Sequence, residues 1–159
     1  MDVVQVVAAW LHSLATVGLL GYYAVLGLVL VPVLRRTVDA PTLGRVIPAI
    51  ERRALPMVLA AIGVFLVTGT HMLVTDSRFL GLGHTFANTW STLIVVKHFI
   101  VVVLVVIGVY IDLLVVPDIA MPVDEASQAA AVRRLGRSAA AVATLGAVVL
   151  LLTAAAQAS

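Results

Sequence analysis

From Val3 to Leu34 the chain contains no Asp, Glu, Lys or Arg. An apolar run of about 20 residues, rising 1.5 Å per residue as a helix, is long enough to cross the hydrocarbon core of a bilayer. Four stretches meet that requirement. The first runs from Val4 to about Val31 and is closed by Pro32, Arg35 and Arg36. The second is Ala54 to Thr75, between Arg53 and Asp76. The third is about Trp90 to Val116, stopped by Pro117, and the fourth about Arg137 to Ala156. No stretch alternates polar with apolar residues over short segments, as a membrane β-barrel requires. Lipid offers the backbone no hydrogen-bond partners, so the spans are predicted to be α-helices. The predicted fold is an all-α polytopic membrane protein. Its four transmembrane helices (4–31, 54–75, 90–116 and 137–156) form an up-down antiparallel bundle and one domain over residues 1–159. Asp2 stands where a signal peptide would carry basic residues, and the run that follows is too long for a signal core. The first span is therefore expected to be a lasting helix.

Composition agrees. Of 159 residues, 62% are hydrophobic and 11% charged, more apolar surface than a soluble domain of this length could bury. The net charge of +2 reflects scarce acids and not a basic patch, which argues against nucleic-acid binding. The absence of cysteine excludes disulfides, thiolate metal sites and thiol catalysis. No strand-borne glycine-rich phosphate loop is present, so a nucleotide-driven pump is not expected. Ser13 adjoins His12 in sequence with no orienting carboxylate, which is not a hydrolytic arrangement.

Arginine sets the predicted orientation. Arg35, Arg36, Arg45, Arg52 and Arg53 follow span one, and Arg133, Arg134 and Arg137 follow span three, whereas the opposite side holds only Arg78. By the positive-inside rule the arginine-rich loops are cytoplasmic, in a cytoplasmic (inner) membrane. The two termini and the 76–89 loop then face outward. Short loops make consecutive spans antiparallel neighbours. Ala139, Ala143 and Ala147, with Gly18 and Gly21, are candidates for close helix contact. Phe79, Phe86 and Trp90 suit an interface. The segment from Asp118 to Gln128 reads as a polar, partly helical loop.

Ionisable groups inside a membrane are costly and point to function. His12 lies about 13 Å down span one, His71 about 6 Å from the outer end of span two, and Lys97 and His98 about 10 Å down span three. Antiparallel packing brings all four to the outer half of the bundle. Neutral imidazole is a common transition-metal ligand. His12, His71 and His98 are accordingly the candidate metal ligands, with Lys97 tuning or gating the site. Two imidazoles suit haem b and three suit copper. The bland alternative is a histidine that hydrogen-bonds a backbone carbonyl or a threonine and does nothing more. Met72 points about 100° away from His71 around the helix and is a weaker donor. Asp112 is expected to pair with Arg133 or Arg137, His84 to be solvated in the outer loop, and Tyr22 and Tyr23 to serve packing.

The ordered residues Trp10-Leu11-His12-Ser13-Leu14 with Gly18 and Gly21, then Pro32 and Arg35–Arg36, resemble the first helix of CopD-like copper-resistance membrane domains. Thr68-Gly69 at the end of span two fits the same pattern. So do Trp90 to Leu93 followed by Lys97, Gly108 and Pro117, and Val132-Arg133-Arg134-Leu135 leading into span four. The chain is also similar in outline to HemJ-type haem-binding protoporphyrinogen oxidases, whose pattern would fall on His12 and Lys97. The Trp90-to-Lys97 spacing fits the copper-type domain better. The resemblance implies a minimal CopD-like protein that handles or transports copper, with the lipid bilayer as partner and a homodimer or larger complex supplying a full transport path. The alternatives are a b-type haem redox protein and an accessory subunit of a membrane complex.

Overall fold

A computed structural model of the chain describes residues 2–84 and 86–158, the side chain of Leu82 aside. It contains four long helices: α1 (Val3–Thr37), α2 (Ala40–Thr75), α3 (Thr89–Ala120) and α4 (Glu125–Gln157). All four are long and apolar enough to cross a membrane, and no strand occurs among the described residues. Each helix starts at an acidic or amide side chain that accepts a backbone N–H of the first turn: Asp2, Asp39, Asn88 and Asp124. Such caps satisfy donors that a helix N-terminus otherwise leaves unpaired. Asp124 forms a reciprocal capping box with Ser127.

These caps lengthen the helices beyond the apolar runs. The arginine-bearing loop expected after span one is a break at Val38 and Asp39. Arg35 and Arg36 occupy the last turn of α1, and Arg45, Arg52 and Arg53 lie on α2 itself. The expected polar loop from Asp118 to Gln128 contracts to a break between Ala120 and Glu125.

Two helices carry a π-helical turn, Leu26–Leu30 in α1 and Ile111–Val115 in α3. Each precedes a proline, Pro32 or Pro117. Proline cannot donate its backbone nitrogen, and its ring crowds the carbonyl one turn back. The wider turn absorbs that mismatch: the Val31 N–H bonds the Leu26 carbonyl, and the Val116 N–H bonds the Ile111 carbonyl, each five residues back.

The two π turns flank the tightest packing in the molecule. Leu26, Ile47, Ile111, Ile119 and Leu135 are fully buried there, at the end of the bundle that carries the arginines. The α1–α4 seam is built on close approach. A Cβ added at Gly27 would lie 2.9 Å from both the Ala139 Cβ and the Ala140 nitrogen, and one at Gly146 would collide with Leu20. The expected stripe of three alanines is corrected. Ala139 is buried but Ala147 is exposed, and the buried row runs Leu135, Ala139, Val142, Gly146, Val149. Spacing of three and four keeps one helix face in register, which a strict four-residue step does not. Gly18 and Gly21 are not contact points either, for a Cβ at either would meet nothing within 4 Å.

The ring of helices is not closed. α1 packs along α2 and α4, and α3 packs along α4, but α2 meets the third helix chiefly at its last turn, Val116–Ala120. Gln128, 5% exposed, donates to the Ile119 carbonyl there (3.1 Å) and locks that junction. At the other end, Arg78 clamps the loop between α2 and α3. It donates to both carboxylate oxygens of Asp76 (3.0 and 3.1 Å) and to the Ala156 carbonyl in the last turn of α4 (3.1 Å), and lies over the Trp90 ring. Trp90 is buried beneath it, not at a lipid interface as its position suggested, whereas Phe86 is exposed. The Arg78 guanidinium holds the Asp76 carboxyl below the usual carboxylate range. Gly81 adopts φ 88°, a left-handed conformation that glycine takes without strain.

Candidate functional site

His12 is seated against α2. Its ring stacks on Phe65, with centroids 4.2 Å apart, and its Nδ1 lies 3.0 Å from Thr68 Oγ1. Thr68 has one hydroxyl proton and gives it to the Val64 carbonyl at 2.6 Å. With its proton so engaged the Thr68 oxygen accepts from Nδ1–H, so this network favours the Nδ1-protonated tautomer of His12. In a neutral imidazole the lone pair then sits on Nε2. A hydroxyl that fixes tautomer and ring orientation in this way is the outer support a metal-ligating histidine typically has. Gly69 completes the seat, since a Cβ there would lie 3.1 Å from His12 Cε1.

The remaining sequence-derived candidates are arranged unequally. His71 lies one turn beyond Thr68, on the same face of α2. Its Nε2 is buried and has no hydrogen-bond partner. Lys97 is half-buried, whereas its neighbour His98 is exposed and turns its Nδ1 back to the Ile94 carbonyl at 2.7 Å. Both lie within electrostatic range of His12. Among the described residues, no three histidine or carboxylate side chains gather closely enough to hold one metal ion, so His12, His71 and His98 do not share a ready-made triad. His12 itself packs on Phe65 and meets Thr68. His84 is exposed in a short turn, Leu82–His84.

Where the ring of helices is open, an apolar cleft of about 240 Å³ separates α2 from α3. Thr16 and Tyr23 of α1, Phe65 of α2, Gly108 and Asp112 of α3, and Gly146 of α4 are among its walls. Lys97 stands one turn before Val101 on the cleft-lining row of α3, and His12 one turn before Thr16 on that of α1. The two basic groups thus top the cleft toward the termini. Asp112 and Tyr23 close it at the other end. Asp112 takes no part in an ion pair among the described residues; the pair at this end is Arg134–Asp118, 2.9 Å. The expected pairing of Asp112 with Arg133 or Arg137 is corrected accordingly, because the row that carries Asp112 faces the cleft and not the start of α4.

One polar residue escaped the sequence reading. Glu51 is 6% exposed, and its Oε2 accepts a hydrogen bond from the Tyr22 hydroxyl at 2.7 Å. Tyr22 therefore does more than pack. Arg52 and Arg53 beside it are exposed and made the segment look like a solvated loop. The signal was periodicity: Ile47, Glu51, Leu55, Val58 and Ile62 follow a three-and-four spacing that puts Glu51 on the inward face.

Comparison with known proteins adds the family. No curated protein and no solved structure matches the chain. A family model described as copper resistance protein D matches residues 48–156, from the turn before Glu51 through most of α4. That segment holds Thr68, His71, Lys97, His98 and Asp112, and leaves His12 on α1 outside it. Over two-thirds of the chain is covered by this match, and with four membrane-length helices enclosing an off-centre apolar cleft, the protein belongs to the copper resistance protein D (CopD) family.

Proposed function

We propose that the protein binds copper ions as cargo at the end of the bundle bearing the termini and handles them across or along the membrane. The observation that carries this reading is the contact of His12 Nδ1 with Thr68 Oγ1, which together with the Phe65 stack holds the imidazole in one orientation against α2. His71, with its unpartnered Nε2 one turn away on the facing helix, is the companion donor. Imidazole nitrogen suits copper, and family membership makes copper the cargo of choice over zinc or nickel. Lys97 sets a positive charge near His12 that holds the affinity low enough for release, since a like charge at close range opposes a bound cation. The excess of arginine at the opposite end supports an orientation with the site on the outer face and the arginines in the cytoplasm.

The test is copper content of purified, detergent-solubilised protein by elemental analysis, with an absorption spectrum of the same sample. Stoichiometric copper in the parent chain, lost in His12→Ala without loss of folding, is the expected result. Copper retained in His12→Ala would remove the assignment of this residue. A Soret band that sharpens on reduction would replace the copper reading with a haem one.

A further inference from the structure

The copper reading uses the groups near the termini and leaves Glu51 without a role. Glu51 is nine-tenths buried and shares its environment with no cationic side chain; the groups that act on it are Tyr22 from α1 and Asp112 from α3. One carboxyl oxygen, Oε2, takes the Tyr22 hydroxyl, and the other, Oε1, is buried without any partner. A half-satisfied carboxyl is an expensive thing to keep inside a membrane bundle, and packing alone gives no reason for it.

The neighbouring polar side chains lie in a row from Glu51 to the cleft. Tyr22 meets Tyr23 edge-on, with ring centroids 5.1 Å apart. The Tyr23 hydroxyl reaches α3 at Gly108, where an added Cβ would stand 3.1 Å from it. Asp112 follows one turn later on the same face and lines the floor of the cleft. Three helices thus contribute an acid, two phenols and a second acid in sequence.

We propose that Glu51 is a proton-exchange site, in which the unpartnered Oε1 takes up and releases one proton while Oε2 keeps the Tyr22 hydroxyl, with Tyr23 and Asp112 standing between it and the cleft. The exchange is Glu51 carboxylate plus a solvent proton to give the carboxylic acid, and the reverse; no electron or other group moves. Its consequence is a change of one charge unit inside the bundle, next to Asp112 on the floor of the cleft. This inference is independent of copper, because it concerns residues at the opposite end from His12.

Infrared difference spectroscopy of the protein in lipid, between acid and alkaline buffer, tests it directly. The expected signal is the carbonyl band of a buried carboxylic acid that appears with acid, is absent in Glu51→Gln, and shifts in Tyr22→Phe as its hydrogen bond is lost. Should Glu51→Gln fail to fold, carbon-13 labelling of glutamate in the parent chain serves the same end. The chain has two glutamates; the exposed Glu125 gives the lower-frequency band of a hydrated acid, so a label-sensitive band at higher frequency belongs to the buried Glu51. A band that survives Glu51→Gln unchanged, does not move on glutamate labelling, or is absent from the parent chain at every pH overturns the proposal and leaves Glu51 as a structural partner of Tyr22. Copper content measured on the same samples fails or succeeds separately.

Discussion

The two long sides of this bundle are built on opposite rules. On the α1–α4 side, Gly27 and Gly146 let Ala139 and Leu20 come to contact distance, and the buried residues there are mostly aliphatic. On the α2–α3 side, the helices touch only near one end and leave an apolar cleft, with His12 and Lys97 above it and Asp112 below. Lipid tails supply no hydrophobic drive for helices to associate, so membrane bundles rely on close van der Waals fit. The seam has that fit and carries the fold. The cleft lacks it and carries the ionisable groups. A charge or an open nitrogen is tolerated where the packing is already relaxed, and the tight seam is what allows the other side to stay open.

The largest effect expected from breaking this contrast is on the seam. Gly27→Val sets two methyl groups against Ala139 and the α4 backbone, neither of which can yield, and overpacking of this kind costs about 1–3 kcal/mol or more. Val105→Phe, on a half-open cleft wall, adds more volume yet is expected to change stability by less than about 0.5 kcal/mol. Thermal unfolding in detergent compares the two. Equal losses would show that the cleft is packed as tightly as the seam.

The next effect is confined to the cleft's upper end. Thr68→Val keeps the shape of the side chain and removes the oxygen that orients His12. Loss of such an outer partner typically weakens metal binding about 10–100-fold. Copper titration should show that loss with little change in melting temperature. An unchanged affinity would mean that the Thr68 contact is only a structural hydrogen bond, and the contrast between the two sides would then rest on packing alone.

The smallest effect concerns the loop that ties the open side together. Asp76 is held below its usual pKa by Arg78, so the clamp contributes stability above the unfolded carboxylate pKa of about 3.9 and loses it as pH falls through the lowered folded value. The melting temperatures of the parent chain and Asp76→Asn should differ at neutral pH, begin to converge as pH falls below about 4, and meet once pH is below the lowered folded value. A difference that persists in acid would place the role of Asp76 in its backbone contacts and not in its charge.

Much of this architecture was legible in the sequence because it follows from local chemistry. Four long apolar runs bounded by Arg, Asp and Pro specify four helices long enough to cross a membrane, and their order alone sets His12, His71 and Lys97 toward the same ends of those runs in an antiparallel bundle. The helix ends were read short, because Arg45, Arg52 and Arg53 dominated the reading of residues 40–53 while Asp39 already offered a cap and Glu51 kept the inward register. Trp90 was read from its class as an interfacial ring, although Arg78, twelve residues earlier, is what covers it.

The sequence by itself determined the helical class, the number of spans and the depth of the ionisable residues, since hydrophobic run length and helical rise depend on nothing outside the segment. Only the tertiary structure decided which sides of those helices meet. Rotation about each helix axis is set by contacts with other helices, and those contacts separated Lys97 from His98, gave His12 to Thr68, left Gly18 open and buried Gly27, and turned Glu51 into the bundle beside Tyr22.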